Sequence, residues 1–110
     1  GGPITAAAVS GGTVDVGLLF TSDGSIERQG LVLLRDDRQL QPAESIIPLV
    51  RRDAIERFGP AMADALDRVS LQLTTGDLRR LNALVAGGSP PDAAAARWLD
   101  EHATGTLASE

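Results

Sequence analysis

Three observations predict an α/β fold in which a few strands are followed by several helices. First, the apolar run at residues 14–20 breaks abruptly into the turn formers Thr21, Ser22, Asp23 and Gly24. Near-continuous apolar character of that kind marks a strand buried on both faces, as in a parallel sheet. Second, two more short apolar runs follow, at residues 31–34 and 45–50. Third, from Asp53 onward the apolar residues recur at helical spacing, with capping residues and Gly-Pro breaks between them. A doubly wound domain would alternate strand and helix throughout. The lopsided order read here is that of a piece of a larger sheet.

The elements follow in chain order. Pro3-Ile4-Thr5 leading into residues 6–9 reads as a short helix. Proline suits its first position, where the missing N–H would be unpaired anyway, and Gly11 or Gly12 supplies the stop. Residues 14–20 are the first strand, and Asp23-Gly24-Ser25 then makes a turn or a single helical turn. Residues 31–34 are the second strand, closed by Arg35-Asp36-Asp37-Arg38. Residues 45–50 are the third, with Pro48 placing it at an edge or a bulge. Asp53 is positioned to cap a helix through Phe58, and Gly59-Pro60 restarts another that aligns Met62, Leu66 and Val69 on one face. Thr74-Thr75-Gly76-Asp77 is a capping-box pattern opening a helix with Leu78, Leu81 and Val85 on one side, ended by Gly87-Gly88. Ser89-Pro90-Pro91-Asp92 repeats that device for a last helix with Ala94, Ala95, Trp98 and Leu99 facing inward. Residues 104–110 read as a frayed tail.

Composition excludes several functions. The chain has 110 residues, enough for one modest core, and Phe20, Phe58 and Trp98 are its only aromatics. All ten basic residues are arginines scattered among acidic neighbours, and the net charge is −5. Phosphate backbones require a basic face, so no nucleic-acid partner is expected. Without cysteine there is neither disulfide nor thiolate chemistry, and the apolar runs are too short to span a bilayer. The start at Gly1-Gly2-Pro3, with no initiator Met and no signal peptide, is expected of a processed product or a piece of a longer protein.

Catalysis and cofactors find little support. His102 is the single histidine and sits near a helix end, where it favours the helix dipole, and no GxSxG elbow exists. The chain is therefore not expected to be an enzyme. Asp36-Asp37 lacks further oxygen ligands at regular spacing and reads as solvated turn charge, so no metal is expected. The glycines at positions 1, 2, 11 and 12 form no dinucleotide fingerprint, and no cofactor is expected. Trp98 reads as core.

Taken in order, five segments carry a resemblance. They are Gly1-Gly2-Pro3-Ile4-Thr5, Val14-Asp15-Val16, Phe20-Thr21-Ser22-Asp23-Gly24-Ser25-Ile26, Leu31-Val32-Leu33-Leu34-Arg35-Asp36-Asp37 and Leu73-Thr74-Thr75. Together they resemble the carboxyl-terminal portion of the substrate-binding proteins of ABC importers for glycine betaine, choline and related osmoprotectants, over residues 1–99. No single motif is specific; the resemblance rests on the ordered set.

The resemblance implies part of a two-lobed periplasmic-binding-protein fold of type II, which clamps its ligand by hinge closure. It implies that residues 1–44 belong to the second lobe and crossover, residues 45–103 to the carboxyl-terminal part of the first lobe, and residues 104–110 to a tail. The implied function is the solute-binding component of an ABC importer for quaternary-ammonium osmoprotectants or a related small solute. Its implied partners are that solute and the importer's membrane permease, and its implied place is extracytoplasmic, in the cell envelope. The alternative is a ligand-sensing effector module of a regulator or receptor, which uses the same bilobal architecture. An orphaned piece is also expected to expose apolar surface and self-associate.

Family members hold a quaternary ammonium in a cage of aromatic rings, whose negative faces attract the cation. Two cage positions map onto this chain. Phe20 keeps the aromatic ring without a hydroxyl, and Glu44 stands where relatives often carry Tyr. Thr21, Ser22 and Asp23 join them as candidate ligand contacts, beside their plainer reading as turn formers. The carboxylate of Glu44 leaves room for a ligand with hydroxyl or amine donors rather than glycine betaine itself.

Overall fold

The computed structural model describes residues 2–42 and 44–103; the expected tail at 104–110 lies outside them. Six helices run along the described chain: α1 Pro3–Ser10, α2 Ser25–Arg28, α3 Arg52–Phe58, α4 Pro60–Gln72, α5 Thr75–Ala86 and α6 Pro91–Ala103. They fall into two compact units, one of Gly1–Leu33 with Thr75–Glu110, the other of Leu34–Thr74.

In the first unit α1 packs on α2, α2 on α5, and α5 on α6. Its buried side chains are Ala6, Ile26, Ala94 and Trp98, together with Asp77. Three of its helices end in the same way. After α1, Gly12 N–H donates to Val9 O and Thr13 N–H to Ala8 O. After α2, Gly30 N–H donates to Glu27 O and Leu31 N–H to Ile26 O; after α5, Gly88 N–H donates to Val85 O and Ser89 N–H to Leu84 O. Gly12, Gly30 and Gly88 all take positive φ. This is the Schellman motif, in which a left-handed glycine lets the chain fold back and satisfy the last carbonyls. Gly11 therefore only caps α1, and Gly12 makes the reversal.

The second unit contains the α3–α4 hairpin, broken at Gly59 and restarted by Pro60 at the first position of α4. Met62 and Leu66 are half-buried on one face as expected, whereas Val69 is exposed. No side chain of either helix is fully buried. Asp53 was expected as the cap of α3, but the helix begins at Arg52 with Arg51 as its cap, two residues earlier. Asp53 instead bonds the neighbouring Ala54 N–H at 2.9 Å and pairs with Arg51 at 3.3 Å. An acid in the first turn still suits the positive helix end.

Two further expectations need correction. No strand forms among the described residues, so the chain by itself does not display an α/β fold. Residues 14–20, 31–34 and 45–50 run as irregular chain and expose Leu18 (69 %), Phe20 (72 %), Val32 (83 %) and Leu49 (90 %). An apolar pattern records a preference for burial, but a strand exists only when another strand bonds to it. None of these three segments pairs with another. In α6, Ala94 N–H bonds to Pro90 O, so Pro90 rather than Ser89 precedes the first helical residue. Only half of its expected inward face is inward: Ala94 and Trp98 are buried, while Ala95 is exposed and Leu99 is 47 % exposed.

Candidate functional site

The candidate residues Phe20, Thr21, Ser22 and Asp23 share one turn at the entrance to α2. Asp23 N–H donates to Phe20 O at 2.9 Å, which closes the turn, and Ile26 N–H donates to Asp23 O at 3.2 Å as the helix starts. The Asp23 carboxylate accepts both the Ser25 hydroxyl at 2.7 Å and the Ser25 N–H at 2.9 Å. This is an Asx turn, set just before α2, whose N-cap is Gly24. The hydroxyl of Ser25, then its N–H, hold the Asp23 carboxyl below its ordinary range, against a small opposing effect of burial. Asp23 is thus an anion at neutral pH, one turn away from an open aromatic ring. Thr21 is exposed, and Ser22 and Asp23 are half-buried.

The turn is held from a distance by α5. Asn82 Nδ2 donates to Ser22 O at 2.7 Å across 60 residues of chain. Gly24 is buried against the same helix: a Cβ there would stand 2.3 Å from Ala83 N and 2.6 Å from Ala83 Cα. Arg28 Nη1 reaches Ala86 O at 3.1 Å, and Glu27 lies 4.0 Å from Arg79 Nε. Asn82 and the packing role of Gly24 were not among the residues singled out from sequence. Asp-Gly-Ser announces a turn, but nothing local announces that the turn will rest on a helix that far along the chain.

Glu44 belongs to the other unit and is exposed. Just ahead of it, Asp36 folds a loop onto itself, accepting Leu40 N–H and Gln41 N–H at 2.9 Å each. The Gln41 and Leu40 amides, in that order, hold the Asp36 carboxyl below its ordinary range. Asp36 therefore organises this loop, and Gln39 within it takes a φ of 54°.

A shallow groove of about 430 Å³ runs between α5 and α6, lined by Asp77, Arg80, Leu84, Arg97, Trp98 and Glu101 among others. It contains none of the candidate residues. Its charges are paired internally, Arg80 with Asp77 and Arg97 with Glu101 at 3.0 Å. Trp98 beneath it stacks on His102 at 4.0 Å, and His102 Nδ1 bonds the Trp98 carbonyl at 2.8 Å, so both rings serve helix packing. Among the described residues no helix is long and apolar enough to cross a membrane.

Comparison with known proteins places these features in a family. Residues 3–101 match the family described as the substrate binding domain of ABC-type glycine betaine transport systems. Over 83 residues the chain is 32 % identical to the glycine betaine-binding protein YehZ of Escherichia coli (strain K12), covering 76 % of this chain. The chain spans only about a quarter of that relative's length, 27 %. No solved structure matches significantly.

Proposed function

The chain belongs to the family of substrate-binding domains of ABC-type glycine betaine transport systems, and from that membership we propose that it is part of the solute-binding component of an ABC importer for osmoprotectants. The family carries a periplasmic-binding-protein fold, and its members bind solutes rather than transform them. In the proposed reading the whole protein works outside the cytoplasm, takes up a quaternary ammonium or related small solute, and docks on a membrane permease. Residues 1–44 contribute to the second lobe and residues 45–103 to the first.

The observation that carries the reading is the family match over residues 3–101, a span that includes Phe20, its turn and Glu44. The local chemistry suits a cation. Phe20 offers an open ring face, and Asp23 is kept ionised by Ser25. An aromatic face attracts a quaternary ammonium by about 2 kcal/mol once water is excluded. Phe20, Thr21, Ser22, Asp23 and Glu44 are the proposed ligand contacts, with Glu44 supplying a carboxylate toward the cation or toward a donor group on the solute.

The test is calorimetric titration of the full-length parent protein with glycine betaine, choline and carnitine. Binding of at least one is expected, weakened about tenfold or more by Phe20→Ala. A well-folded parent that releases no heat with any of the three would remove the ligand class.

A further inference from the structure

We infer that Asn82 is the positioning residue of the ligand-facing turn, acting from one face of α5; the inference rests on the reading of Phe20 to Asp23 as ligand contacts. Residues 14–20 make no ladder and rest on α1 only upstream of the turn, through the Val14 N–H bond to Ala8 O and the close approach of Gly17 to Thr5 and Val9, while Leu18 and Phe20 stay exposed. Support for the turn itself comes from α5, and it comes at regular intervals. Arg79 faces Glu27, Asn82 bonds Ser22 O, Ala83 lies under Gly24, and Ala86 O receives Arg28. Positions 79, 82, 83 and 86 recur at helical spacing and so form one stripe along the helix. The other side of α5 rests on α6, so the stripe is a fixed platform rather than a loose neighbour.

Within this stripe Asn82 alone reaches the ligand-facing residues themselves. Gly24 sets how close the turn comes, because any side chain there would meet α5 backbone. Asn82 then sets its orientation by holding the Ser22 carbonyl at 2.7 Å. Ser22 lies between Phe20 and Asp23, so a rotation of that peptide moves both the ring and the carboxylate. Asn82 is itself exposed, so its replacement removes a hydrogen bond without opening the core.

The experiment uses the full-length parent protein and three readouts: amide hydrogen exchange at Asp23 and Ser25 without ligand, thermal midpoint, and calorimetric affinity for glycine betaine. Asn82→Asp is isosteric but has no N–H to donate and sets a carboxylate against the Ser22 carbonyl. It is expected to raise exchange at the turn about tenfold, and to weaken glycine betaine about five- to tenfold. The midpoint should move by no more than about 3 °C. Asn82→Gln, which keeps the donor, should recover part of both effects. Unchanged exchange at Asp23 and Ser25 would overturn the inference. So would faster exchange spread evenly over the whole protein, or an unchanged affinity despite a loosened turn. If the unaltered parent releases no heat with glycine betaine while Asn82→Asp still loosens the turn, Asn82 stands as the positioning residue and the ligand reading is what fails.

Discussion

At the scale of single residues, Gly24 has the least room of the described glycines. Its backbone conformation is ordinary, φ −65°, so it is not glycine for flexibility. It is glycine for space, because the atoms a Cβ would meet are backbone atoms of Asn82 and Ala83 that cannot rotate away. Gly24→Ala is expected to cost about 2 kcal/mol or more in urea unfolding, the usual penalty of overpacking or worse. Asp23 and Asp36 make a second prediction. Both carboxyls are held below the ordinary value of 3.8 by the hydrogen bonds they accept. A lowered folded-state pKa means that the stabilisation is fully present above that ordinary value and is lost as pH falls through the lowered one. Stability measured from pH 6 down to pH 2 should therefore fall, and Asp23→Asn or Asp36→Asn should each flatten the decline. Exchange of the Leu40 and Gln41 amides should rise in Asp36→Asn, since each bonds a different carboxylate oxygen and asparagine keeps only one acceptor, its nitrogen being a donor. Asp23 was readable as a turn former from Asp-Gly-Ser alone. Asn82 was not, because its partner Ser22 is distant in sequence.

At the scale of elements, the helices of the first unit are held by a few contacts and well-made ends. Trp98 is the largest buried side chain there, set between α5 and α6 and stacked on His102. Trp98→Ala is expected to lose about 3 kcal/mol in a denaturation series, and to raise exchange in α5 and α6 together. The α3–α4 hairpin, with no fully buried side chain, should exchange its amides sooner than α5 in the unaltered protein. The helices were legible in the sequence because their signals are local: proline at first positions, Gly-Gly at the ends, apolar residues at helical spacing. The reversal at Gly30 uses the same device as those at Gly12 and Gly88 but follows a helix of four residues, too short to leave a periodic pattern. Leu99 illustrates the opposite limit. Its spacing from Ala95 suits an inward face, yet it is 47 % exposed.

At the scale of the whole molecule, apolar residues that should line a sheet lie open. Val16, Leu18 and Val32 in the first unit, and Leu34, Ile46 and Leu49 in the second, are all exposed, and open apolar chain of this kind invites pairing with further chain. The isolated chain is expected to self-associate with concentration in sedimentation experiments, and Val16→Lys with Leu18→Lys should shift it toward monomer. On the proposed reading it should also bind glycine betaine far more weakly than the full-length parent, because it spans about a quarter of the length of the relative YehZ, 27 %. Micromolar binding by the isolated chain would contradict that expectation.

The sequence alone determined the helices, the turn after Phe20 and the family, since each is written in neighbouring residues or in an ordered set of short segments. It also determined which segments seek burial. Only the tertiary structure decided that residues 14–20 and their counterparts remain unpaired here, and that α5 rather than a strand supports the turn. The physical reason is the same in both cases. Caps, turns and helical periodicity are set within a few residues, whereas a ladder partner for residues 14–20 and the Asn82 bond to Ser22 depend on what distant chain is brought alongside.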